Sequence, residues 1–104
     1  MQDKQQFFKS PEQYSYDKIK EELVFTVLEK TLVSAGIYHK VLLQLERKHN
    51  SDLHECYRHP KYLSMILKDQ FDDSYKNILK SVNQQLDIFS DAKSIARFLQ
   101  EINP

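Results

Sequence analysis

Apolar side chains in this chain fall three and four positions apart through five separate stretches, and no segment alternates polar and apolar residues long enough for a convincing strand. That spacing places them on one side of a helix at every stretch, so the periodicity predicts an all-α fold. Glycine usage agrees: among 104 residues there is one Gly and there are three Pro, so tight turns are few and long helices are favoured. Val24-Phe25-Thr26-Val27 has strand propensity, but the helical period continues through it. The expectation is a compact bundle of five helices, with room for a sixth short helix at residues 52–57.

Residues 1–15, MQDKQQFFKSPEQYS, read as a polar and aromatic tail or docked turn, and residues 16–104 as a single helical domain. The first helix should run from about Tyr16 to Ser34, with Tyr16, Ile19, Leu23 and Val27 on one stripe and Val24, Leu28 and Leu32 on a second beside it. Two adjacent stripes cover about half the circumference, which marks this as the central helix. Gly36 ends it, because only glycine adopts a left-handed cap without steric cost. A second helix follows from Ile37 to about His49, with Ile37, Tyr38, Val41, Leu42 and Leu45 inward. Asp52 and Glu55 have the spacing of a capping box, and Pro60 opens a third helix over Lys61 to Phe71 that buries Leu63, Ile66 and Leu67. Asp72-Asp73-Ser74 offers the N-cap of a fourth, about Asp73 to Phe89, with Tyr75, Ile78, Leu79, Val82, Leu86 and Phe89 inward. Ser90-Asp91 caps the fifth, whose inward residues are Ala92, Ile95, Ala96, Leu99 and Ile102, with Phe98 at the flank.

The most chemically suggestive segment is HNSDLHECYRHP, residues 49–60, which holds three of the four histidines and the only cysteine. His49, His54, Cys56 and His59 are candidate ligands for a metal, or the elements of a redox sensor, since imidazole and thiolate are the side chains that zinc and related metals favour. The order His-x-Cys-x-x-His is not a standard structural zinc spacing, and His54 and Cys56 would lie about 200° apart on a helix. The alternative assigns each an ordinary place: His49 at a helix C-terminus, Cys56 as a small apolar group under a turn, His59 ahead of Pro60. Cys56 beside histidines also supplies a nucleophile and a base, yet no rigid element or oxyanion nest stands behind them. Glu21-Glu22 and Asp72-Asp73 diverge in direction and suit solvation or capping. With a single glycine, a Gly-built phosphate loop is excluded. The reading is therefore of a chain that is not an enzyme and carries no cofactor.

Formal charge is zero, with 15 basic and 15 acidic residues, but residues 37–68 carry six basic against three acidic side chains. That is a weak basic patch, and a dimeric DNA-binding regulator stands behind other readings because phosphate contacts need a strongly basic face. No stretch approaches the roughly 18 apolar residues of a membrane span, and the N-terminus has no apolar signal core. With one Cys and hence no internal disulfide, these features predict a cytoplasmic chain. Phe7, Phe8, Leu43, Met65, Ile88 and Phe98 lie off the main stripes or outside the helices, which makes them candidates for a protein interface or for homodimerisation.

LEKTLVSAGIYHKVLLQLERKHN (residues 28–50) and HPKYLSMILKDQFDDSYKNILKSV (residues 59–82) share a pattern. A long helix ends near a Gly, a second carries Leu-Glu-Arg/Lys-Lys, and a Pro opens a helix before an amphipathic one. Leu28, Glu29, Leu32, Gly36, Leu45, Glu46, Lys48, Pro60, Tyr62, Phe71, Ile78 and Leu79 hold the matching positions. Over about residues 23–89 the chain resembles the small helical output domains of signalling proteins in ammonia-oxidising archaea and their stand-alone archaeal relatives. The resemblance implies a regulatory or adaptor role in an archaeal cytoplasm and supplies no catalytic residue.

Overall fold

The computed structural model describes residues 11–71 and 73–103, with side chains from residue 18 onward. Five helices make up an all-α bundle: α1 (Pro11–Ser34), α2 (Tyr38–His49), α3 (Pro60–Phe71), α4 (Ser74–Leu86) and α5 (Lys93–Ile102). Two 3-10 turns, His54–Tyr57 and Asp87–Phe89, join α2 to α3 and α4 to α5. There is no strand among the described residues.

α1 opens at Pro11, five residues ahead of Tyr16, because proline is well tolerated at the first helical position, where its missing N–H has no helical partner to lose. Phe7 and Phe8 lie outside the described residues, as do the side chains of Tyr14 and Tyr16 and the whole of Asp72. At the other end, Gly36 sits at φ 74°, and the amides of Gly36 and Ile37 close back on the carbonyls of Val33 and Leu32 at 3.0 and 3.1 Å. These are the two bonds of a Schellman cap, which reverses the chain into α2. Asn50 ends α2 with the simpler left-handed cap at φ 48°, its amide bonding the Glu46 carbonyl at 3.0 Å. Asparagine tolerates that conformation better than most residues with a side chain.

α1 is central, contacting α4, α2, α5 and the His54–Tyr57 turn. Its Val24, Val27, Leu28 and Leu32 share one continuous core with Val41 and Leu45 of α2, Leu63, Ile66 and Leu67 of α3, Ile78, Leu79, Val82 and Leu86 of α4, and Ile95, Phe98, Leu99 and Ile102 of α5, with Leu53 and Cys56 of the connection included. Two polar pairs lie at its margin. Thr31 Oγ1 accepts from Gln85 at 2.9 Å across α1 and α4, and Tyr38 donates to Glu29 at 3.2 Å across α2 and α1.

Four expectations are corrected. Ile19, assigned to the inward stripe, is 61% exposed, because among the described side chains of α1 the buried face begins at Glu21. Phe89 is exposed because α4 ends at Leu86 and the chain tightens into Asp87–Phe89, which rotates the side chain off the α4 stripe. Phe98, placed at a flank and counted among interface candidates, is 1% exposed; α5 packs on both α3 and α4, so its apolar arc is wider than one stripe. Capping also differs from the sequence reading: Ala92, not Ser90-Asp91, precedes α5, and Asp73 precedes α4 without a side-chain cap bond.

Phe98→Ala should lower unfolding free energy by about 3–5 kcal/mol in urea titrations, whereas Ile88→Ser should change it by less than about 0.5 kcal/mol. Equal effects would contradict this placement of the core.

Candidate functional site

The segment from His49 to Pro60 is a folded joint between α1 and α3. Asp52 accepts the amide of Glu55 at 3.0 Å, which supplies the forward half of the expected capping box. The reverse half does not form: Glu55 Oε2 lies 3.5 Å from Arg58 Nη1 instead. The segment makes a 3-10 turn, whose Arg58 amide bonds the Glu55 carbonyl at 3.0 Å.

The four ligand candidates go to three places. His54 stacks on Phe25 of α1, with centroids 3.8 Å apart and planes 8° from parallel, and its Nε2 is 3.4 Å from Glu22 Oε2. His49 and His59 both stack on Tyr62 of α3, at 4.3 and 4.9 Å. Cys56 turns inward and is fully buried, its Sγ 3.7 Å from the Asp52 carbonyl. Among the described residues no three His, Cys, Asp or Glu side chains converge as metal ligands, so the candidate set of His49, His54, Cys56 and His59 is not brought together. His39, on the outer side of α2, packs edge-on against Tyr38.

Burial pushes the Cys56 thiol up to about 12 from an ordinary 9.0, and the nearby charges of Asp52 and Glu55 add to the shift. A reactive cysteine needs the opposite, a thiolate stabilised by cations and open to solvent. Arg58 follows Cys56 closely in sequence, yet its guanidinium is engaged elsewhere: Nη2 donates to Glu21 Oε1 at 2.8 Å. Glu21 is 8% exposed on the inward edge of α1, with Lys18 Nζ a further 3.9 Å from its other oxygen. A carboxylate so enclosed needs a charged donor, and Arg58 provides it across 37 positions of sequence. Helical spacing cannot reveal this pair, because nothing in it says which turn of α1 the connection will meet.

Beside the joint lies a cavity of about 230 Å³ lined by Tyr57, Arg58, Pro60, Ser94, Arg97 and Phe98. The Ser94 hydroxyl is buried there without a hydrogen-bond partner among the described residues. Both guanidiniums are already matched, Arg58 to Glu21 and Arg97 to Glu101 at 2.8 Å, so the cavity offers no surplus positive charge to an anion.

The interface candidates separate in the same way. Leu43, Met65 and Ile88 are exposed, Ile88 at 78%, whereas Phe98 belongs to the core. Ile19, Val33 and Phe89 join the exposed set, of which Val33 could have been read from its position opposite the buried face of α1. No helix among the described residues is long and apolar enough to cross a membrane. Comparison with protein-family models, with curated proteins and with solved structures gives no match.

Native protein should leave Cys56 unreacted with a soluble thiol reagent near pH 8 and release one equivalent only on denaturation; prompt labelling of folded protein would show an open thiol. Because the unfolded thiol ionises near its ordinary value, between about pH 9 and 12 the unfolded state binds fewer protons than the native one, and stability should fall as pH rises through that window. A Cys56→Ala variant should lose this thiol-dependent fall.

Arg58→Met should cost about 1–3 kcal/mol, below the figure for a fully buried pair because about half of the Arg58 side chain is exposed to water. Adding Glu21→Met should recover part of that loss, since the stranded carboxylate is gone. A double variant as unstable as the sum of the singles would contradict the pairing.

Proposed function

We propose that the chain is a non-enzymatic helical interaction module of the signalling-output kind, working through exposed helix faces toward a protein partner or a second copy of itself. The observation that carries this reading is the contrast between its two suggestive features. The histidine and cysteine segment is occupied with packing, through a buried thiol and three imidazoles stacked on neighbouring rings. The large apolar side chains of Ile19, Val33, Leu43, Met65, Ile88 and Phe89 are meanwhile left in water, on several elements. Single exposed apolar residues are common on any protein. An adjacent pair such as Ile88-Phe89, held on a short turn at one end of the bundle, is better suited to burial against another chain.

The resemblance to archaeal output domains supports the same reading and with it a cytoplasmic regulatory role, while self-association as a dimer is supported by the exposed Leu43, Met65 and Ile88. A metal or redox sensor has less support, since its ligands diverge and its thiol is held protonated. A DNA-binding regulator has less support too: the cations of α2 and α3 are interspersed with Glu46 and Asp69, and Lys48 of α2, like Arg58 of the joint, is already paired.

Affinity capture with the whole chain, paired with sedimentation over a wide concentration range, tests the proposal. Either a partner or a dimer should appear, and Met65→Ser/Ile88→Ser/Phe89→Ser should weaken it by about tenfold or more while leaving the melting temperature within a few degrees. The proposal is defeated by a chain that stays monomeric up to about 1 mM, where even a weak dimer would be half formed, and that captures nothing the triple variant does not.

A further inference from the structure

We propose that the outer face of α3 is a docking surface for an acidic amphipathic helix of a partner protein. This rests on the interaction-module reading and names the chemistry of its partner. Leu63, Ile66 and Leu67 turn α3 inward, which leaves Lys61, Ser64, Met65 and Lys68 along its other side at spacings of three and four. Met65 is 58% exposed at the middle of that face.

A groove runs along each flank. One, of about 550 Å³, is lined by Lys48, His49, Met65, Ile66, Lys68 and Asp69 between α2 and α3. The other, of about 420 Å³, includes Lys61, Met65, Lys68, Tyr75, Gln100 and Glu101 on the side of α4 and α5. Met65 and Lys68 line both, so they form a ridge with a trough on either side. Methionine suits such a position, because its unbranched thioether adapts to whatever apolar group is laid against it.

Charge selects the occupant. The carboxylates on this face are already matched, Asp69 by Lys48 at 2.8 Å and Glu101 by Arg97 at 2.8 Å. Lys61 and Lys68 form no ion pair among the described residues. Lys61 and Lys68 therefore set unpaired positive charge on either side of the exposed Met65 along α3, the complement of a helix with apolar residues on one face and carboxylates at its borders. A second copy docked symmetrically through the same face would set these lysines near one another about the two-fold axis, where like charges repel. Nucleic acid would find two unpaired lysines among the described residues of this face, short of the strongly basic surface that a line of phosphates requires.

The test uses three probes with isotope-labelled whole protein: a synthetic amphipathic peptide of Leu and Glu about five turns long, the same peptide with Lys for Glu, and a short DNA duplex. The Leu/Glu peptide should bind with amide shifts centred on Lys61 to Asp69 and the flanks of the two grooves, and more tightly at low salt. Lys61→Glu/Lys68→Glu should weaken it about tenfold, and Met65→Ser should weaken it at all salt concentrations. The inference is overturned if the Leu/Glu peptide does not bind, if its shifts map elsewhere, if the Lys peptide or the duplex binds this face as well or better, or if the charge-reversed variant binds unchanged. Failure here is separable from failure of the broader reading. If the captured partner or dimer is held equally by the parent chain and by Lys61→Glu/Lys68→Glu, the α3 surface is wrong and the module stands; if neither holds anything, both fall.

Discussion

The pairing of Arg58 with Glu21 is the constraint on which the middle of this molecule depends. An ionised carboxylate at the inward edge of the central helix is costly unless a charged donor reaches it, and the guanidinium that does so comes from the segment between α2 and α3. Once that contact is made, the connection has one place to lie. Leu53 and Cys56 are carried into the core, His54 is laid on Phe25 and beside Glu22, and Pro60 starts α3 from a fixed point. A polar linker thereby becomes a third layer between two helices. Its individual contacts are modest, but they act on the same few residues and so restrain one another.

That arrangement separates chemical suggestiveness from chemical use. Imidazole, thiol and carboxylate occur together over a dozen residues, as they would in a metal or nucleophile site, yet each is committed to local packing. Stacking orients the three histidines toward Phe25 and Tyr62, and burial keeps the thiol protonated. Proximity in sequence is thus a poor guide to convergence in space when the residues sit on a tight turn, because successive side chains leave a 3-10 helix in directions about 120° apart. What remains available to other molecules is the outer surface: the Ile88-Phe89 turn, Leu43 on the back of α2, and the Met65 ridge of α3.

The bundle itself was legible in the sequence. Five apolar stripes, the glycine after Ser34 and the proline before Lys61 locate every helix and most of its inward residues, since burial of one face is what makes those helices stable. The departures have local causes. Stripe counting presumes one helical pitch throughout, so it carries Phe89 inward past the point where α4 tightens, and it leaves Phe98 at a flank because it cannot tell a helix with one neighbour from a helix with two. Ile19 shows the same weakness, since it keeps the period but precedes the buried face that begins at Glu21 among the described side chains. The site was less legible than the fold. Asp52 as a cap and Cys56 as a buried apolar group follow from local rules, whereas Arg58 on Glu21 and two imidazoles on Tyr62 depend on how whole helices meet.

Residue-resolved hydrogen exchange of the Cys56, Arg58 and His59 amides tests the central claim most directly. These donate to the carbonyls of Leu53, Glu55 and Glu55 at 3.1, 3.0 and 2.9 Å. If the joint is built into the core as described, they should exchange only with the global opening that governs Val41 and Leu45 of α2, and Arg58→Met should release them before those helix amides. Exchange at the rate of an open loop in the parent chain, with α2 still protected, would mean that the segment is a loose tether and that Arg58 does not hold it.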